Sequence, residues 1–394
     1  MPIILGSIVF RLIIVFFINF QGCSNAKCEH LYIRKHTIFN IYCCRYWHFI
    51  KGGRGVMRAL FVYSNITCAC TRKCCFELSE ALNRYIPTDT IYFNEFNREI
   101  IDDYDIVIFQ RVGTAANVQE EDKKEILSII EENKQIKKFA YLIDDLVLDA
   151  QGGTPKRFIQ SCNAAICTSR TLERYVKKYN ENVYIFHTFI EFDLYESVPF
   201  TEYDKFTLVW VSTGGLGKDI IREIINNRDS MGMDFNLIAI GGHTKEFEEV
   251  KNVETYPILS EYEMIEKIKG ADILLNPMSV SEDIEPTLRV LSNGNITDFL
   301  NCKSEVKYAI AGAAQICLLT SPIENYSKVV KNMENGVIIN DDPEEWIKMI
   351  EYLFENREII NRIKINAYNE VKNEYTKEVV AKEFYEIINE IIDL

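Results

Sequence analysis

Short apolar runs alternate along this chain with longer stretches whose apolar residues recur every three or four positions. From residue 57 onward the runs fall at 58–63, 104–110 ("YDIVIFQ"), 137–144 ("KKFAYLID"), 164–169 ("AAICTS") and 182–186 ("NVYIF"). Such short, near-continuous apolar runs predict parallel strands covered on both faces. The amphipathic stretches between them predict helices at 74–85, 118–133 and 170–179. After a loop holding Pro199 the alternation restarts, with strands expected at 206–212, 235–242, 271–277, 314–320 and 336–340. Helices are expected near 217–227, 260–269, 303–311, 324–332 and 343–355, and the tail 357–394 reads as almost wholly helical.

Two βα series in one chain predict an α/β protein with two Rossmann-like, doubly wound domains facing across a cleft. The pattern divides the chain into an extension (1–56), an N-terminal domain (57–200), a C-terminal domain (201–375) and a crossover helix (376–394). The last helix has apolar spacing at Val379, Val380, Phe384, Ile387 and Ile388 and is expected to pack back on the first domain. Ligands of doubly wound sheets sit beyond the carboxyl ends of the strands. The loops after 212, 242, 277 and 320 should therefore converge, which brings in Gly241, Gly242, Asn276, Pro277 and Ser321.

Charge changes this picture at one end. The chain carries a net −14, but residues 1–56 hold seven Lys or Arg against one acid, so the remainder is strongly acidic. An acidic body argues against nucleic acid as a partner. The first 56 residues also contain three of the five histidines and four of the twelve cysteines. Their apolar run at 3–20 is interrupted by Arg11, and the glycine- and arginine-rich "KGGRGVM" (51–57) leads straight into the first strand. Two readings stand: a non-native segment ahead of a start at Met57, or a membrane anchor. Cys162, Cys167, Cys302 and Cys317 sit singly in apolar or helical surroundings and are expected as small buried side chains. "CACTRKCC" clusters Cys68, Cys70, Cys74 and Cys75, but few histidines remain to complete a site, so reduced thiols and no metal are expected.

Candidate chemistry begins at "STGGLGK", 212–218, where an apolar strand runs through three glycines into a helix start. Free N–H groups and the positive end of a helix would there point at one place, an arrangement suited to an anion. A Walker A loop is excluded, because Ser212 stands at its first glycine and Asp219 at its hydroxyl position. A dinucleotide fingerprint is excluded by the spacing of Gly214, Gly215 and Gly217. A sugar-nucleotide or other phosphate-ester site remains, as does a plain tight turn.

The segments "FTLVWVSTGGLGKDI", "FNLIAIGG", "ILSEYEMIEKIKGADILLNPM" and "DFLNCKSEVKYAIAGAAQICLLTSPIENYSKVVKNMENGVII" follow one another in the second half. With "YDIVIFQRV", "FAYLIDDLVLD" and "CNAAICTSRTLERYVKKYNENVYIFHTFIEFDLY" in the first, nearly all of 57–394 resembles glycosyltransferases of the GT-B fold, of the group 1 or family 4 type. The resemblance implies a hexosyltransferase-like enzyme that takes a nucleotide-diphosphate sugar mainly on its C-terminal domain. A glycan or lipid-linked acceptor would sit on the N-terminal one. It further implies a retaining transfer without metal or cofactor, in the cytoplasm, with peripheral contact at the inner face of the cell membrane as one option. Gly214, Gly215 and Lys218 match the family's phosphate loop, and Lys303 and Lys307 its second basic element. Lys218 and Lys303 are the candidates for stabilising charge on the leaving diphosphate, against the alternative of a solvated helix face for the lysines of the second element.

The resemblance has a gap. Family members carry a glutamate in "KxxEYAALG" for the nucleotide ribose, whereas this chain passes from Lys307 and Tyr308 to Gly312 as if about one helical turn were missing. Glu305 is nearby but expected to point elsewhere, and "SED" (281–283) supplies Glu282 as the acid of a sugar-contacting loop. On the acceptor side the candidates are Arg72, Arg111, Asp144 and Asp145, the two aspartates having a helix-cap or strand-end role as their alternative. His187 is expected to pack near the interdomain linker. Two other functions fit the same fold: a sugar-nucleotide epimerase, and a degenerate protein that binds a glycan or partner without transferring.

Overall fold

A computed structural model of the protein describes residues 57–66, 69–115 and 117–394. The extension 1–56 and Cys68 lie outside the described residues. The first sheet is built from β1 (Ala59–Tyr63), β2 (Thr88–Tyr92), β3 (Ile106–Gln110), β4 (Lys138–Ile143), β5 (Ala164–Cys167) and β6 (Val183–Ile185). The second contains β7 (Phe206–Ser212), β8 (Phe235–Gly241), β9 (Val253–Tyr256), β10 (Ile273–Asn276), β11 (Cys317–Thr320) and β12 (Val337–Ile338). All pairs are parallel, in the orders β2-β1-β3-β4-β5-β6 and β12-β11-β10-β7-β8-β9.

These orders position the site. Strand order reverses between β1 and β3 in the first sheet and between β7 and β10 in the second. The crevice of a doubly wound sheet opens at such a reversal, beyond the carboxyl ends of the strands. It is flanked by Ser64 and Arg111 in the first sheet and by Thr213 and Pro277 in the second.

The helices between the strands of the first half are α1 (69–82), α2 (Glu120–Asn133), α3 (Ala150–Ser161) and α4 (Arg170–Val176). The connection to the second half holds α5 (Phe192–Ser197). There follow α6 (Lys218–Asn226), α7 (Glu261–Ile268), α8 (Glu285–Leu291), α9 (Ile296–Asn301), α10 (Val306–Ala314) and α11 (Glu324–Val329). The chain closes with α12 (Pro343–Glu355), α13 (Arg357–Glu374) and α14 (Lys377–Ile392).

Each central strand arises where its apolar run is expected, because burial on both faces demands apolar side chains at every position. The strands absent from the sequence reading are β2 ("TDTIY") and β9 ("VETY"), both at sheet edges and both lacking a continuous apolar run. Helix α1 starts before the expected residue 74 and is π-wound at Arg72–Glu77. Helix α3 was masked by its glycines: Gln151, Gly152 and Gly153 take left-handed φ before the regular turns begin at Thr154 and Pro155.

Helix α14 returns to the first sheet. Its Val380, Ala381, Phe384, Ile387, Ile388 and Ile391 share a core with Phe61, Ile108, Ala140, Ile166 and Phe186. Burying each large apolar side chain contributes roughly 1.5–3 kcal/mol, enough to hold the tail away from its sequence neighbours. Two further cores cover both faces of the second sheet, one around Trp210 and Trp346, the other around Tyr308 and Tyr326.

Candidate active site

The loop between β7 and α6 is shaped by its neighbours. Gly241, at φ 140°, leaves no room for a Cβ against the carbonyl of Ser212, and Gly217, at φ 81°, lies as tightly against Pro277. The Gly217 N–H donates to the Ser279 carbonyl at 2.9 Å, the Lys218 N–H to Gly215 at 3.2 Å, and the Trp210 indole to the Leu216 carbonyl at 3.1 Å. Two of the loop's donors are thus used internally, whereas the N–H groups of Gly214 and Gly215 meet no acceptor among the described residues. Gly214 and Gly242 are exposed, and the ring of His243 covers Gly215.

Lys218 is buried at the start of α6 and is already neutralised. Its ammonium contacts Asp283 and lies 3.0 Å from Glu246. Burial works against its charge, but these partners outweigh burial and hold its pKa above the ordinary lysine value. Lys218 and Ser281 together push the Asp283 carboxyl down to about 2. Glu282 beside it is exposed.

At the neighbouring strand ends, Asn276 donates to the Thr320 hydroxyl at 2.9 Å. Ser321 accepts from the Met278 N–H at 2.7 Å and donates to Asp341. Lys307, in the first turn of α10, is half-buried. It forms no ion pair among the described residues, and burial pushes its pKa down to about 8.

Helix α10 carries the segment in which the family pattern shows its gap. It runs unbroken from Val306 to Ala314, and Gln315 caps it in the left-handed region at φ 56°. Laid on the chain from Lys307 without a gap, the pattern puts its glutamate at Ile310 and its glycine at Gln315. Glu305 is buried at the N-cap of α10, where burial raises its pKa.

The acceptor-side candidates divide into two groups. Lys303 reaches across to Asp145 at 2.8 Å, while Arg111 lies 3.4 Å from Asp144 and 3.9 Å from Asp145. Four of the nominated residues thus form one charge cluster joining the two halves. Arg111 also adopts φ 56°, a strained backbone of the sort that collects at functional sites. Arg72 sits elsewhere, with Lys73, in an ion cluster with Glu77 and with Glu261 of α7. His187 is more than half exposed, its Nδ1 4.0 Å from Glu305, so it does not pack as expected.

Local sequence carries no signal for Glu246 and Glu261 as partners of Lys218 and Arg72, since each pair is joined only through the sheets. Cys74, Cys75, Cys162, Cys167, Cys302 and Cys317 are buried, as expected for the last four.

The fold as a whole has counterparts among solved structures. A glycosyltransferase from Rickettsia africae superposes with TM-score 0.60 at 12% identity, covering 86% of this chain and 99% of that one. HepE from Anabaena, solved with UDP and glucose, gives 0.60 at 10% identity over 85% of this chain and 100% of that one. An α-glucosyltransferase solved with UDP and a mismatched 13-mer DNA gives 0.61 at 11% identity over 84% and 100%. The fold is GT-B. At these identities the likeness is one of fold. No family model matches the sequence, and no curated protein matches it.

Proposed function

We propose that the protein is a glycosyltransferase that moves a sugar from a nucleoside-diphosphate donor to a hydroxyl of a glycan or lipid-linked acceptor. The observation that carries this reading is Lys307. It is a half-buried ammonium without a counter-ion among the described residues, on a residue whose N–H donates to the Tyr326 hydroxyl, next to Asn276 at a strand end. An ammonium held this way is costly until an anion arrives. UDP in two of the neighbouring structures supports a diphosphate as that anion.

In the transfer, the bond from sugar C1 to the phosphate oxygen breaks and its electron pair stays on the diphosphate. The acceptor oxygen bonds to C1, and its proton ends on the departing phosphate. Lys307, with the N–H groups of Gly214 and Gly215, meets charge that peaks as the bond breaks, which favours the transition state over the bound donor. The Arg111–Asp144–Asp145–Lys303 cluster borders the acceptor and brings Lys303 to the same cleft. No metal ligand enters this scheme, and a retaining outcome rests on the family resemblance. Work in the cytoplasm, at the membrane's inner face for a lipid-linked acceptor, belongs to the same reading. Among the described residues no helix is long and apolar enough to cross a membrane.

A screen of UDP-, GDP- and TDP-sugars, read by thermal shift and released nucleotide, tests the proposal. One of them should bind, and Lys307→Met should lower its turnover by about a hundredfold, the scale of losing one oxyanion donor. Failure of every donor to bind would sink it. The second reading, a GT-B protein that binds without transferring, is favoured by Ile310 at the pattern's glutamate and predicts binding with no released nucleotide.

A further inference from the structure

We propose that Asp283 is an internal anion that occupies the place of the donor's diphosphate at Lys218 and must leave before the donor binds. The inference rests on the transferase reading and adds a control to its donor site. Lys218 begins a nine-residue helix beside the Gly214 and Gly215 N–H groups, which meet no acceptor among the described residues, yet its ammonium is matched by carboxylates.

The two carboxylates are not equivalent. Glu246 is also held by Arg222, whose Nη2 lies 3.0 and 3.2 Å from its two oxygens, and it approaches Lys218 at 3.0 Å. Asp283 is half exposed and rides the loop after β10, tied otherwise by the Ser281 hydroxyl, which donates to it at 2.6 Å, and by its own backbone N–H. Lys218, Arg222, Glu246 and Asp283 sum to zero charge; with Asp283 withdrawn the set is +1, suited to an anion. With Asp283 in place a diphosphate would meet a neutral, occupied site.

Asp283 is therefore the removable member. Because it is tethered, it competes at a high effective concentration, and the donor's apparent affinity is reduced by the fraction of molecules in which it is displaced. Its carboxyl stays ionised throughout the physiological range, so release is driven by the competing anion and not by pH.

Isothermal titration of the full chain with UDP, and with GDP, TDP and ADP in parallel, tests the inference. Asp283→Asn should bind the preferred nucleotide at least tenfold more tightly than the unsubstituted protein. Ser281→Ala, which loosens the aspartate's seat, should give a smaller gain in the same direction. Glu285→Gln removes a nearby carboxylate that pairs with Arg289 and should change affinity less than twofold. Lys218→Ala should abolish the gain when combined with Asp283→Asn. Unchanged or weaker binding by Asp283→Asn, or an equal gain from Glu285→Gln, overturns the plug while leaving the transferase reading intact. If none of the four nucleotides binds any variant, the transferase reading falls and the plug with it. Melting temperatures of the variants separate loss of binding from loss of fold.

Discussion

Among the three lysines that the sequence nominates for the phosphate, the structure distinguishes paired from unpaired. Lys218 and Lys303 meet carboxylates, whereas Lys307 meets none among the described residues. Its folded pKa of about 8 lies below the unfolded value, so folding disfavours its charge. That penalty is complete below pH 8 and is relieved as pH rises toward the unfolded value near 10.4. Lys307→Met should therefore raise the melting temperature of the free protein at pH 7, with a smaller gain at pH 9.5. Nucleotide affinity should run the other way, flat below about pH 8 and weakening by up to about tenfold per unit above it, as binding must then take up a proton. Titrations with UDP across pH 6.5–9.5 check this, and the dependence should vanish in Lys307→Met. The sequence placed Lys303 and Lys307 in one basic element and gave the catalytic role to Lys303, because what separates them is their spatial partners.

At the scale of the element, α10 ends on an unusual residue. Val306–Ala314 is an unbroken helix with Lys307 in its first turn. Gln315 performs the left-handed cap at φ 56°, a conformation that costs an L-residue about 1 kcal/mol or more. Gln315→Gly should stabilise the protein by about 1 kcal/mol in urea unfolding, with nucleotide affinity unchanged. A destabilised variant would mean that the Gln315 side chain makes a compensating contact. The edge strands give the complementary lesson. Both β2 and β9 lack the continuous apolar run of a central strand, so their existence depended on a neighbour to pair with.

Across the whole molecule, the tail is the piece whose place matters most. Helix α14 completes the core of the sheet farthest from it in sequence. Phe384 is fully buried against Phe61 and Phe186, so Phe384→Ala should cost about 3–5 kcal/mol. Urea unfolding should register that loss although the substitution is remote from both candidate sites. Transfer should also survive EDTA, because the proposed chemistry uses lysine and backbone N–H groups in the role that a metal would fill. Loss of turnover on chelation, restored by a divalent cation, would remove that part of the mechanism.

The sequence by itself determined what depends on local periodicity: the central strands, most of the helices between them, and the apolar stripe of α14. Parallel strands buried on both faces cannot be built from anything but apolar runs, so they are legible without a structure. The sequence also located the loops at the strand ends, since a strand that stops must turn. What it left open was which charges meet. Lys218 with Asp283 and Glu246, Lys303 with Asp145, and Arg72 with Glu261 are pairs brought together only when strands distant in sequence lie side by side. An ion pair is made at a few ångströms and leaves no period in the chain, so only the tertiary structure decided which cation was left free to meet an anion.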